Sequence, residues 1–363
     1  MRLWFYIARR FLKTFLGVFA VFLTILFLVD MIEKVRDFGV DIGLAGAAHL
    51  AALDAPAGIY RILPLVMILA SIALCLALAR SSELVVIRAT GRSALATLVP
   101  PVLTALALGV VAVALGNPIV AATQRQSDLL SSRLSGSDRS ALSISAEGLW
   151  LRQGGPEGQS VIHGQRSNGD GTELEGATFL SFRPDVGPVK RVDATRAVLR
   201  DGAWQLEGVK EWDLTSDNPE RDAKILPTLE IPSPLTAAGI RDSFGTPSEI
   251  PIWQLPGFIE GLSEAGFATR RHAVWFQMEL ALPLLLAGMV LMGAGFTMRH
   301  ARFGGTGMLV LLAVASGFAI FFLRNFAQVL GENGQIPVAL AAWSPPAAAI
   351  MLSLGLLLHL EDG

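Results

Sequence analysis

The sequence predicts an α-helical integral membrane protein with six transmembrane helices, arranged three and three around an inserted all-β domain. Three observations carry that prediction. Apolar residues make up 52% of the 363 and are gathered in long charge-free blocks, where a soluble core would spread them at helical or strand period. The blocks are long enough, at about 1.5 Å of rise per residue, to cross a hydrocarbon layer of about 30 Å. Between the third and fourth blocks the sequence changes to frequent charge, Gly and Pro with short β-type runs.

The first element mixes Arg2, Arg9, Arg10 and Lys13 with Leu3, Trp4, Phe5, Ile7, Phe11 and Leu12, an amphipathic lead-in to a span over Thr14 to Val29. Basic residues followed by an apolar run also begin secretory signals. Here no small-x-small cleavage site follows; the charged stretch Asp30 to Asp37 does, so the helix is expected to remain uncleaved. The second span is Ile62 to Ala79, and the third starts at Ala94, with Pro100-Pro101 and Asn117-Pro118 as expected kinks. Strand signals follow at 148–152, 160–163, 177–182, 191–195, 196–200 and 203–207, the last two flanking the hairpin turn Asp201-Gly202. They predict a β-domain of roughly 110 to 130 residues, an ordinary domain size. A proline-rich linker, 247–256, and a short helix within 257–271 lead back to spans over Ala273 to Met298, Phe303 to Leu323 and Ile336 to Leu358. The domain boundaries read 1–124, 125–256 and 257–363.

Several chemistries are excluded or disfavoured. Net charge is −2, which gives no reason to expect nucleic acid as a partner. The single cysteine, Cys75, sits in an uncharged run and rules out an internal disulfide. There is no G-x-x-x-x-G-K-[ST] phosphate loop and no H-E-x-x-H zinc helix, and the five histidines are scattered. No ATP site, no metal and no cofactor are therefore expected in this chain. Gly304-Gly305-Thr306-Gly307 reads as a tight start to a membrane helix. Glu279, the acid inside a span, is expected near the interface and partly hydrated.

Two constellations remain. Ser82 to Ser93 is a polar-ended interruption between two uncharged spans, with apolar Leu84, Val85 and Ile87, charged Glu83, Arg88 and Arg92, and Gly91 as a helix stop. It reads as a short amphipathic helix held at the membrane surface, either a docking lever or a solvated turn. Basic residues at 2, 9, 10 and 13, at 80, 88 and 92, and at 299 and 302 place those loops, and both termini, in the cytoplasm, and the β-domain on the other side. The second constellation is Lys34, Arg36, Arg61, Arg125 and Arg133 at the outer helix ends. These cations either meet lipid-headgroup phosphates or snorkel and pair with Glu33, Asp37 and Asp41.

The segment Ser82-Glu83-Leu84-Val85-Val86-Ile87-Arg88-Ala89-Thr90-Gly91 resembles the coupling helix of the lipopolysaccharide export permeases, the LptF/LptG family, and the six-span layout with its inserted β-domain is similar across essentially the whole chain. Glu147 to Arg152 resembles the G-L-W strand of the LptG branch, as do Asp30 to Lys34, Ala341 to Pro345 and His359 to Gly363. The resemblance implies a non-catalytic permease subunit in the bacterial inner membrane, with a β-jellyroll-like periplasmic domain. It implies an LptF-type permease partner, an LptB-type ATPase dimer that binds the ATP, and LptC-type and LptA-type proteins forming a periplasmic bridge. Lipopolysaccharide is the implied cargo. Glu83, Leu84, Arg88 and Gly91 would then couple to the ATPase, and Lys34, Arg36, Arg61, Arg125 and Arg133 would contact the lipopolysaccharide headgroup. Glu33 departs from the enterobacterial pattern, in which a basic residue often stands there. The competing readings are the LptF-type partner itself, a non-transporting membrane scaffold, and an intramembrane hydrolase; for the last no facing nucleophile and base appear at helical spacing.

Overall fold

The computed structural model describes residues 2–38, 43–89, 91, 93–135, 142–145, 148–155, 158–168, 171–183, 187–200, 202–233, 235–236, 240, 246–264, 268–298 and 306–361. They fall into two compact units, one formed by Met1–Ser131 with Arg270–Gly363 and the other by Ser132–Thr269.

In the first unit, α1 (Arg2–Phe38) is one continuous helix, so the amphipathic lead-in and the first span are a single element. It buries Ile7, Phe11 and Phe15, spaced by four, and leaves Val21, Ile25, Leu28 and Ile32 exposed. The segment after it, expected as a charged loop, contains a second helix, α2 (Gly43–Arg61), packed against α1. Its buried Ala47, Leu50, Ala51, Ala55 and Ile59 repeat at three and four residues, so α2 is an amphipathic helix too charged and too short in apolar run to read as a span. α3 (Leu63–Arg80) follows, then the short α4 (Glu83–Ala89) and α5 (Ala94–Val111), which Ser93 caps by accepting from the Ala96 amide at 3.1 Å.

The irregularity expected at Asn117-Pro118 takes the form of a π turn over Ala112–Gly116, after which α6 (Asn117–Ser135) continues. Proline lacks an amide hydrogen and clashes with the carbonyl four residues back, and one wide turn accommodates both defects. α7 (Leu255–Glu264) belongs to the second unit. The first unit resumes with α8 (Arg270–Thr297), buried along most of its length and packed against α3, α5, α9 (Thr306–Glu332) and α10 (Val338–Glu361). α9 runs well beyond the expected end at Leu323, and the turn to α10 is made at Asn333-Gly334, where Gly334 has φ +81°. Arg270 donates to the carbonyls of Gly331 (2.7 Å), in the last turn of α9, and Ile336 (2.8 Å), in the connection to α10, and so clamps the turn between the two helices. Arg299, Arg302 and Gly304-Gly305 lie outside the described residues.

The second unit holds a seven-stranded antiparallel sheet in sequential order: β1 (Leu142–Ser145), β2 (Gly148–Gly155), β3 (Gly158–Ser167), β4 (Glu173–Arg183), β5 (Gly187–Arg200), β6 (Ala203–Asp213) and β7 (Lys224–Pro232). The runs 191–195 and 196–200 are halves of the one strand β5. Every described strand pairs with its neighbour in sequence, so the sheet is a meander, and the described residues show no Greek-key crossover of the kind a two-sheet jelly roll contains. Arg200 pairs with Ala203 across the expected hairpin, with Gly202 at φ +85°; Asp201 lies outside the described residues.

A meander encloses a core only if it bends. The buried positions Leu174 and Ala177 on β4, Ala194 and Ala197 on β5, and Leu206 and Val209 on β6 each break the alternation of two. The break falls along one row, where Gly176 (φ +61°) and Gly208 (φ +63°) flank Thr195. There the inward face changes phase, and the sheet folds over a core centred on Phe179 and Trp204, whose rings meet edge to face at 5.9 Å. Phe258 and Leu262 of α7 pack on the same core. The boundaries of this unit fall later than 125 and 257 because α6 stays helical to Ser135 and α7 packs with the sheet.

Candidate functional site

α4 is framed by two backbone features. Ser82 immediately before it has φ +58°, unusual for a residue with a side chain, and Gly91 beyond its end has φ +79°. Leu84 and Ile87 are buried, while Val85 and Val86 are 57% and 64% exposed. The helix thus turns one apolar pair inward and offers another outward. Glu83 also points inward: Arg10 Nη1 donates to both of its carboxylate oxygens at 2.5 Å, and the Tyr6 hydroxyl donates to Oε2 at 2.9 Å. Hydrogen bonding from Arg10 holds the Glu83 carboxyl below the ordinary carboxylate range, because it favours the charged form, and the Tyr6 hydroxyl and the charge of Arg10 act the same way. The side chain of Arg88, and the whole of Thr90 and Arg92, lie outside the described residues.

Of the outer cations, Lys34 pairs with Asp54 of α2 at 2.8 Å, and Arg36 lies 3.4 Å from Asp37 and 3.9 Å from Glu33. Arg61 and Arg125 are exposed and make no ion pair among the described residues. Asp41 and the side chain of Arg133 lie outside them. The carboxylate partner of Lys34 comes from a helix that the charge pattern alone read as a loop.

A third polar group was not assembled by sequence reasoning. Glu279 of α8 is fully buried, not partly hydrated. The Tyr60 hydroxyl of α2 donates to its Oε2, as does the Asn117 amide of α6 at 3.3 Å. Its Oε1 has no partner among the described residues, and Arg324 of α9 acts on it electrostatically. The partners stand 219 and 162 positions away in the chain, and no local spacing announces them. Among the described residues no cluster of His, Cys, Asp or Glu has the arrangement of a metal site.

Six helices of membrane-crossing length and apolarity, interrupted by a β-unit after the third, define a multi-pass membrane protein. The particular class follows from sequence comparison. Residues 5–359 match the family described as lipopolysaccharide export system permease LptF/LptG, and the chain belongs to that family. It is 24% identical over 337 residues to the lipopolysaccharide export system permease protein LptG of Escherichia coli K12, covering 91% of this chain and 90% of that protein. It is 25% identical to the LptG protein of Haemophilus influenzae Rd, covering 96% of this chain and 97% of the relative.

Proposed function

We propose that this chain is the LptG-type permease subunit of an ATP-driven transporter that extracts lipopolysaccharide from the inner membrane and passes it to a periplasmic bridge. The observation that carries the reading is α4 itself, a short helix between the second and third spans that presents Val85 and Val86 to solvent. Exposed apolar residues on a surface helix call for a partner. In this reading the partner is an LptB-type ATPase dimer, which binds and hydrolyses the ATP; this chain is non-catalytic and carries no cofactor. Both termini and α4 face the cytoplasm, and the β-unit faces the periplasm, as the basic residues of the short loops favour. An LptF-type subunit completes the permease, and LptC-type and LptA-type proteins receive the lipid.

The exposed guanidinium groups of Arg61 and Arg125 are the first candidates for headgroup phosphates, since they need not give up an intramolecular partner to bind them. Lys34 and Arg36 contribute after exchanging their carboxylates, with Arg133 as the fifth. Purification in mild detergent followed by mass spectrometry tests the assignment: an LptF-type chain, an LptB-type ATPase and lipopolysaccharide are expected to be retained together. A double substitution, Val85→Asp with Val86→Asp, is expected to release the ATPase. Retention of the ATPase by that variant, or a purified complex without lipopolysaccharide and without ATPase, contradicts the reading.

A further inference from the structure

α4 makes a contact that its docking role does not require. Glu83, its first residue, is held by two side chains one turn apart on α1, and these also hold each other: Arg10 Nη1 lies 2.7 Å from the Tyr6 hydroxyl oxygen. The result is a closed triangle of charge-assisted hydrogen bonds between helices separated by 73 positions in sequence. The contact lies toward the N-terminal end of α1, on the turns that also bury Ile7 and Phe11. There Trp4, Phe5 and Ala8 stand off Pro100, Leu103 and Ala107 of α5 across a groove of about 780 Å³. Beyond the triangle, the same α1 carries an exposed apolar stripe of Val21, Ile25, Leu28 and Ile32.

We propose that Arg10 and Tyr6 are positioning residues that make α4 and the first turns of α1 one mechanical unit, so that a displacement of α4 is delivered to α1 as well as to α3 and α5. Glu83 then faces this chain, while Val85 and Val86 face the partner. The proposal rests on the reading of α4 as the ATPase-docking helix. It does not depend on the triangle adding stability: a half-exposed ion pair contributes little to folding. Its role is directional, because two donors fix the carboxylate where one would let it swing.

The test uses the complete permease pair with its ATPase in lipid nanodiscs, comparing Arg10→Glu, Glu83→Arg and the charge-exchanged double variant. Each single variant is expected to lower lipopolysaccharide released per ATP hydrolysed by roughly tenfold, the size of a typical coupling between sites, and the exchanged pair to recover most of it. Tyr6→Phe, which keeps the ion pair and loses one donor, is expected to fall between. Unchanged release per ATP in the single variants, or no recovery on exchange, overturns the proposal. Loss of the ATPase from Glu83→Arg that the exchange does not reverse assigns Glu83 to the partner's surface, which overturns the triangle and leaves the docking reading standing. If instead the Val85→Asp, Val86→Asp variant keeps its ATPase, the docking reading fails. The triangle is then judged within the chain by spin labels at Phe5 and Val86: broadening of their distance distribution in either single variant and narrowing in the exchanged pair support it, and an unchanged distribution overturns it.

Discussion

Glu279 is a carboxylate with no solvent to stabilise it, and its neighbours explain why it is tolerated. Tyr60 and Asn117 each donate to it from a different helix, and Arg324 supplies the opposite charge nearby. Polar contacts between helices in a membrane are individually weak, about 0.6 kcal/mol on average, because the separated helices also find partners. Removing the shared acceptor is a different change, since it takes from the Tyr60 hydroxyl its carboxylate acceptor and from Arg324 its opposite charge. Glu279→Ala is therefore expected to destabilise the detergent-solubilised protein by about 1–3 kcal/mol, the penalty for orphaned buried groups. Glu279→Gln keeps an acceptor oxygen in place and is expected to cost less. Thermal unfolding of both variants beside Tyr60→Phe checks the order, and Gln as damaging as Ala would show that the charge, not the hydrogen-bond acceptor, holds the site.

Elements differ in how much of themselves they write into the sequence. The six spans were legible because a bilayer demands a long charge-free block, and nothing else in a chain looks like one. α2 was not, because His49, Asp54, Pro56 and Arg61 interrupt it and its signal is only the periodic burial of small residues against α1. The β-domain was legible from turn residues, yet β1 and β7 were missed. β7 buries no residue fully along its length, so it lacks the alternation that marks a strand. For the candidate site, α4 was readable from its place between two spans, while the Arg10–Glu83 and Tyr60–Glu279 pairings are long-range and leave no mark on local spacing.

Helix packing was equally hidden, and Gly109 of α5 is the clearest case. A Cβ there would come within 2.5 Å of the Pro283 Cα on α8, so the two backbones touch as closely as glycine permits. Gly109→Ala must push α5 off α8 and is expected to cost about 1–3 kcal/mol, as overpacking does. Gly17→Ala on α1 meets nothing within 4 Å and is expected to be neutral or to stabilise by up to about 1 kcal/mol through helix propensity. Melting curves for the pair distinguish contact from propensity, and equal losses would argue against the close approach.

The whole chain is two bodies with different physics. The first unit assembles apolar helices whose outward faces stay apolar, as in α1 and α9, where Leu311, Phe318, Phe322 and Phe326 remain exposed. The second has an ordinary sheet core, built where a creased meander closes on Phe179 and Trp204. Among the described residues the hydrophobic cluster of the second unit is built from residues between Leu149 and Leu262. Calorimetry on the intact chain is therefore expected to show two transitions, and a core substitution in the sheet is expected to move only one. Phe179 is 1% exposed and meets Trp204 edge to face, so Phe179→Ala removes a ring from a packed site and is expected to cost about 3–5 kcal/mol. For a unit of this size that lowers its transition by about 10 °C or more, while the transition of the helical unit stays in place. A single transition that shifts as one would mean that the helices and the sheet unfold cooperatively, and that the inserted unit lends its stability to the spans on either side of it.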